Sequence, residues 1–311
     1  MAPDTVIARP PTNLWRDAWR RMKRNRAAMV SLGFLAVLIA SALLADVISP
    51  YPYTKQDFLH PDEGPTADHV LGTDYLGRDL LSRIMYGGRI SLAVALVDVA
   101  IVLLIGVPLG LLAGFFGGWM DMIVMRVVDI LYALPNLLFI IVVMMWIRSV
   151  LDAPESALGN LLGPVDKLTG GLLGVFLALG VLSWLTVARL VRGQTLSLKQ
   201  KEFIEAARTV GAGNGRIMFN HLLPNVMGPI IVAATFGIPG AIATEAGLSF
   251  LGLGVRPPLP SWGILISEGV RSMQAFPFEL LFPAGILAIT LICFNFVGDG
   301  LRDALDPKMK Q

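Results

Sequence analysis

Long apolar runs separated by short polar stretches set the pattern of this chain. Residues 27–45 hold no charge before Asp46, residues 90–120 hold one, Asp98, and residues 130–147, 168–188, 222–244 and 280–298 hold none. At 1.5 Å of rise per residue each run is long enough to cross the roughly 30 Å of bilayer hydrocarbon. The alternation and regular short turns of a membrane β-barrel are missing. The pattern therefore predicts an all-α polytopic membrane protein with six transmembrane helices. A shorter run, 246–255, is too short to span alone; it either extends the fifth helix or lies at the interface. Ahead of the second run, Leu76, Leu80, Leu81, Ile84 and Met85 recur at helical spacing among Asp79, Arg83 and Arg89. That spacing predicts an amphipathic segment lying on the membrane surface.

Composition agrees with this reading. The chain has 311 residues, 55% hydrophobic and 15% charged, with a mean hydropathy of +0.67. A soluble domain carries about 25% charged residues. An ordinary cytosolic enzyme, a disordered chain and a disulfide scaffold are all excluded; the single cysteine, Cys293, cannot form an internal bridge. A net charge of +2 gives no sign of nucleic-acid binding, and the placement of the charges matters more. Arg20, Arg21, Lys23, Arg24 and Arg26 precede the first run, which is longer than the apolar core of a cleavable signal, so it reads as a retained anchor. With the N-terminus inside, the segments 1–26, 114–120, 189–221 and 299–311 hold 16 Lys and Arg, against 8 in the outside segments 49–89, 148–170 and 246–277. This excess places both termini in the cytoplasm.

The chain has no constellation for covalent chemistry. No Lys follows a Gly, so no Walker A loop can cradle a nucleotide. His60, His69 and His221 are scattered, with no HExxH and no Cys/His cluster, and GxSxG is missing. These features predict a chain that moves something rather than transforms it, with no catalytic, metal or cofactor residues. Any ATP hydrolysis then belongs to another chain.

Ionisable residues inside the spans default to functional candidates. Asp98 is read either as a polar helix–helix contact or as part of a pathway. Arg126 and Asp129 are three apart on one helix face and are expected to pair, with gating as the other reading. Glu245, at the outer end of the fifth span, either lines an outer mouth or sits at the interface. Pro108, Pro135, Pro229, Pro239 and Pro283 interrupt the spans. Pro229 and Pro239, beside Gly228, Gly237 and Gly240, suggest a kinked fifth helix on a translocation path; close packing at small residues is the other reading. At the C-terminus, Asp299, Arg302, Asp303, Asp306 and Lys308 are spaced to pair along a short helix that Pro307 stops.

One motif goes further. Residues 205–224 read EAARTVGAGNGRIMFNHLLP. This resembles the EAA loop of ABC importer permeases: Glu205, Ala206, Ala207, Gly211, Leu223 and Pro224 match at full spacing. His221 stands where the general pattern has an apolar residue, a departure usual in the peptide-permease branch. LGTDYLGRDLLSRIMYGGRISL (71–92), DMIVMRVVDILYALPNLL (121–138), EAGLSFLGLGVRPPLPSWG (245–263) and GDGLRDALDPK (298–308) are similar to the dipeptide/oligopeptide/nickel ABC importer permeases, C-type subunit. Residues 1–12 and 149–168 carry no such likeness.

The loop has a physical rationale of its own. FIEAARTV (203–210) is made of helix formers, Ala206 and Ala207 permit close approach, Gly211 ends the helix, and Glu205 can pair with a basic residue of a partner.

The resemblance implies the type I ABC importer permease fold. It implies a cytoplasmic tail 1–26, a first transmembrane helix 27–48, an extracytoplasmic segment 49–88, a five-helix permease core 89–298 with the coupling loop 199–224, and a cytoplasmic tail 299–311. It also implies a bacterial inner-membrane location, a homologous second permease, two ATPase subunits using ATP and Mg, and an extracytoplasmic substrate-binding protein. The solute it implies is a di- or oligopeptide, with nickel, glutathione or another small solute as alternatives. An autonomous secondary transporter is the rival class, with Asp98 as its one deep candidate.

Overall fold

The computed structural model describes residues 14–153 and 156–305. A short helix α1 (Leu14–Met22) precedes α2 (Arg26–Leu43), whose N-terminus is capped by the Asn25 side chain accepting from the Ala28 amide at 3.1 Å. After the single turn α3 (Ala45–Ile48), residues 49–79 run without a helix. Then come α4 (Leu80–Ile101), α5 (Val107–Phe116), α6 (Gly118–Tyr132), α7 (Asn136–Leu151), α8 (Ala157–Leu168) and α9 (Leu173–Lys199). The short α10 (Glu202–Thr209) and α11 (Asn214–Arg216) lead into α12 (Leu223–Phe250), α13 (Trp262–Ser272) and α14 (Phe278–Leu305).

Five helical stretches among the described residues are long and apolar enough to cross a membrane: 26–43, 80–116, 173–199, 214–250 and 278–305. The bent pair α6 and α7 makes a sixth if counted as one span. The 130–147 run is not the single straight helix its composition suggested. The chain turns by 96° between α6 and α7, at Pro135, whose ring disfavours helical backbone at the residue before it. The structure also differs from the expected surface segment at 76–85: from Leu80 onward these residues are the first turns of α4 itself, with Leu80 and Ile84 buried. The run 246–255 extends the fifth span as far as Phe250. Helix α14 continues through Asp299, Arg302 and Asp303 to Leu305, while Asp306, Pro307 and Lys308 lie outside the described residues.

Both long composite spans carry a π-helical stretch just before a proline. Residues Val102–Gly106 precede Pro108, and Ile217–Leu222 precede Pro224. A proline cannot donate to the carbonyl four residues back and its ring crowds that carbonyl. Here those carbonyls belong to Leu104 and Asn220, which lie inside the widened turns. The bulge absorbs the clash without ending the helix.

Helix α9 is the central post, packed against α5, α12, α7 and α4. Its seam with α5 is set by Gly106, Gly110 and Gly114. A Cβ on these would lie 2.8 Å from the Trp184 carbonyl oxygen, 2.5 Å from that of Ala188 and 2.7 Å from the Thr195 Cβ. In lipid, where hydrophobic burial does not drive helices together, such close backbone approach is a main source of packing energy. On the other side, α2, α4 and α14 close around Trp262 of α13. The indole enters beside Gly87 and Gly88 and donates from Nε1 to the Ile84 carbonyl at 3.1 Å.

Candidate functional site

The EAA residues form a knob anchored mainly through Ile204, with Ala207 packed beside it. Helix α10 buries Ile204 alone, in a cluster with Val191, Ile217, Leu222, Val226 and Ile230. Glu205 and Ala206 are exposed, Ala207 is half-buried, and Val210 just past the helix is 89% exposed. The helix ends at Gly211, whose φ of +85° favours glycine, and Ala212 N–H closes back on the Ala207 carbonyl at 3.0 Å. The π-helical stretch holds His221, and Leu223 and Pro224 begin α12. The carbonyl of His221 accepts from the Asn225 side chain at 2.6 Å. Thus Glu205, Ala206, Ala207, Gly211, His221, Leu223 and Pro224 lie in one continuous feature, an anchored helix feeding directly into a long span. No ionic partner within the chain fixes the Glu205 carboxylate among the described residues. An exposed acidic residue on a small, backbone-rigid knob is suited to docking in a partner's cleft.

The opposite end of the molecule is built from residues 71–92 and 261–279. Asp74, buried to 2% exposure, accepts from Arg78 Nε at 2.7 Å and from the Arg83 guanidinium. Glu268 of α13 accepts from the same Arg83 nitrogen at 2.5 Å and from Arg78 at 3.3 Å. Burial opposes the charge on Arg78, but Asp74 and Glu268 beside it hold its pKa above the ordinary arginine value. Asp79 caps α4 through the Ser82 amide at 2.8 Å and contacts His69 Nδ1 at 2.9 Å. Gly77, at φ +70°, fits where any Cβ would strike the Asp57 carbonyl oxygen. These contacts fasten residues 57–79 to α4 and α13.

Between the two ends, α4, α9, α12 and the α6–α7 elbow line an open-sided cavity of about 470 Å³. Asp98 is on its wall. Arg126 and Asp129 do not meet as expected. Asp129 instead pairs with Arg189 of α9 at 2.8 Å, and Arg126 is exposed. Spacing along one helix could not show that a cation of another helix lies closer. Arg189 also stacks on Tyr132, whose hydroxyl meets Thr186 at 2.6 Å. Glu245 lines neither the cavity nor an outer mouth: it is 0% exposed, accepting from Ser249 Oγ at 2.6 Å and Ser91 Oγ at 2.9 Å. Pro239 is buried within a continuous α12 and faces away from the cavity, while Gly237 and Gly240 face it. Sequence reasoning missed Arg189, Tyr132 and the serine cage. Ser249 at i+4 from Glu245 was its one legible sign.

Residues 106–311 match the family described as binding-protein-dependent transport system inner membrane component. The chain belongs to that family. Its residues 13–65 also match the N-terminal transmembrane domain of oligopeptide transport permease C. Over 98% of its length the chain is 42% identical to the oligopeptide transport system permease protein OppC of Bacillus subtilis, covering 93% of that protein. It is 41% identical to the dipeptide transport system permease protein DppC of the same organism, covering 98% of this chain and 89% of that one. It is also 41% identical to the glutathione transport system permease protein GsiD of Pectobacterium atrosepticum, covering 95% and 92%. In fold it resembles a chain of the inward-facing MetNI methionine ABC transporter, at TM-score 0.50 and 20% identity, covering 73% of this chain and 96% of that one. The chain is therefore a multi-pass inner-membrane permease of the ABC importer class, a transport subunit.

Proposed function

We propose that this permease carries di- and oligopeptides. In this reading it pairs with a homologous permease, receives solute from an extracytoplasmic binding protein, and is driven by two ATPase subunits that use ATP and Mg. Both termini are cytoplasmic, so that α10 faces the ATPases. The observation that carries the peptide reading is near-full-length likeness, at 41–42% identity, to permeases named for oligopeptide and dipeptide transport. The coupling role is supported by the exposed Glu205, Ala206 and Val210 on a short helix whose one fully buried residue is Ile204.

The work of this chain is mechanical. Closure of the ATPases moves α10, the continuous helical path from Asn214 to Phe250 carries that displacement across the membrane, and the two permeases exchange inward- and outward-facing states. A glutathione cargo is the second reading, favoured by the likeness to the permease named for glutathione. Reconstitution in proteoliposomes with the partner subunits and binding protein separates the two. ATP-dependent uptake of a labelled dipeptide, not competed by glutathione, is the expected result; uptake of glutathione alone would overturn the peptide assignment.

A further inference from the structure

The cavity between the two ends has a carboxyl in its wall and no cation. Its polar lining is Asp98, Tyr132, Asn136, Ser183, Thr186 and Thr244, and no Lys, Arg or His contributes. Asp98 is 4% exposed and its Oδ1 has no hydrogen-bond partner. The two arginines of α9 are committed elsewhere: Arg189 to Asp129 and Arg192 to Asp121. A carboxylate among apolar helices stays ionised only beside a compensating positive group and otherwise takes up a proton, and none of the described residues supplies such a group on this wall.

We propose that Asp98 makes this cavity a cation-accepting station that receives the ammonium group of the solute in transit. On the peptide reading, from which the identity of that ammonium follows, the group is the free α-amino terminus. A metal ion is a poor match for the site. No cluster of three or more His, Cys, Asp or Glu able to hold one occurs among the described residues, and hard cations take several oxygen ligands at once. An ammonium has three donors, which one carboxylate and neighbouring hydroxyl or amide oxygens can satisfy. The volume of about 470 Å³ falls within the range of small-ligand sites. A single carboxylate also suits a passage better than a cage of several, because a transported group must leave as readily as it arrives. The absence of side chains at Gly237 and Gly240 on the facing helix keeps the cavity open, and a Cβ on Gly240 would meet nothing within 4 Å.

The test uses the assembled transporter with Cys293→Ser and a reporter thiol at Ser183→Cys on the cavity wall. Modification rates are measured with a cationic aminoethyl and an anionic sulfonatoethyl methanethiosulfonate, each normalised to its rate with a free thiol. With Asp98 present the cationic reagent should be favoured by about tenfold, the scale on which a charged cleft concentrates its counter-ion. Asp98→Asn should bring the ratio to about one, and Asp98→Glu should retain the preference. Equal rates with Asp98 intact, a preference that survives Asp98→Asn, or no modification of the reporter would each overturn the proposal. A second arm compares maximal uptake of a dipeptide and its N-acetyl derivative, at saturating binding protein, in wild type and Asp98→Asn. The variant should erase the advantage of the free amine, and an undiminished advantage would count against Asp98. If neither peptide is carried, the peptide reading fails, and the labelling ratio still decides the role of Asp98.

Discussion

The two ends of this molecule carry its most distinctive sequence stretches and use them in opposite ways. At the end that carries α10, the EAA residues are displayed. Ile204 is buried and most of the side chains around it are exposed. At the opposite end, the LGTDYLGRDLLSR residues are consumed internally: Asp74, Arg78, Asp79 and Arg83 are all buried and tied to one another, to His69 or to Glu268. A distinctive motif is therefore not a sign of one kind of role. Burial decides between a surface for another chain and a clasp for this one.

This contrast sets the sizes of the expected effects. The largest belongs to Arg83→Ala. It removes one of the two guanidinium groups that Asp74 and Glu268 share and leaves Arg78 alone between them; since breaking a buried ion pair outright costs about 3–5 kcal/mol, the loss should fall toward the low end of that range. The full chain should show a much lower unfolding temperature in detergent and reduced levels in the membrane. Normal levels and unchanged melting would mean that the outer network is not a clasp.

Next is Ile204→Ala. Truncating a buried aliphatic costs about 2–5 kcal/mol, and a surface helix able to settle into the space should fall at the low end. Because Ile204 is the one fully buried side chain of α10, the amides of α10 should exchange hydrogen faster while those of α9 and α12 stay protected. Uniform loss of protection would show that the knob is not separately anchored. The smallest stability effect belongs to Val210→Ser, at a position 89% exposed, which should shift stability by no more than about 0.5 kcal/mol. A larger shift would mean that the exposed face is packed within the chain itself.

Much of this architecture was legible in the apolar runs, because length and lack of charge are sufficient to define a span. The limits had physical causes. A proline in an apolar run signals a break but not its angle, so the 96° turn at Pro135 could not be read from composition. Asp129 selected Arg189 on another helix over Arg126 on its own, and pairing between helices leaves no trace in local spacing. The short α8 and α13 lie in connecting segments too brief for the span pattern to register them. By contrast, the Gly106, Gly110, Gly114 spacing was visible in the sequence and marks the seam with α9. The EAA residues were found because their spacing is long and specific. What the sequence could not show was that Ile204, just ahead of the motif, is the one fully buried residue of the helix that carries them.

The central claim is that α10 is the point at which ATPases grip this permease. It is tested most directly by a mild-detergent pull-down of the tagged full chain, wild type beside Glu205→Lys, with mass spectrometry of the recovered proteins. A second permease and Walker-containing ATPases should come with the wild type. With Glu205→Lys the second permease should come without the ATPases, at unchanged chain level and melting temperature. Equal recovery of the ATPases with the variant, or recovery of the wild-type chain alone, would contradict it.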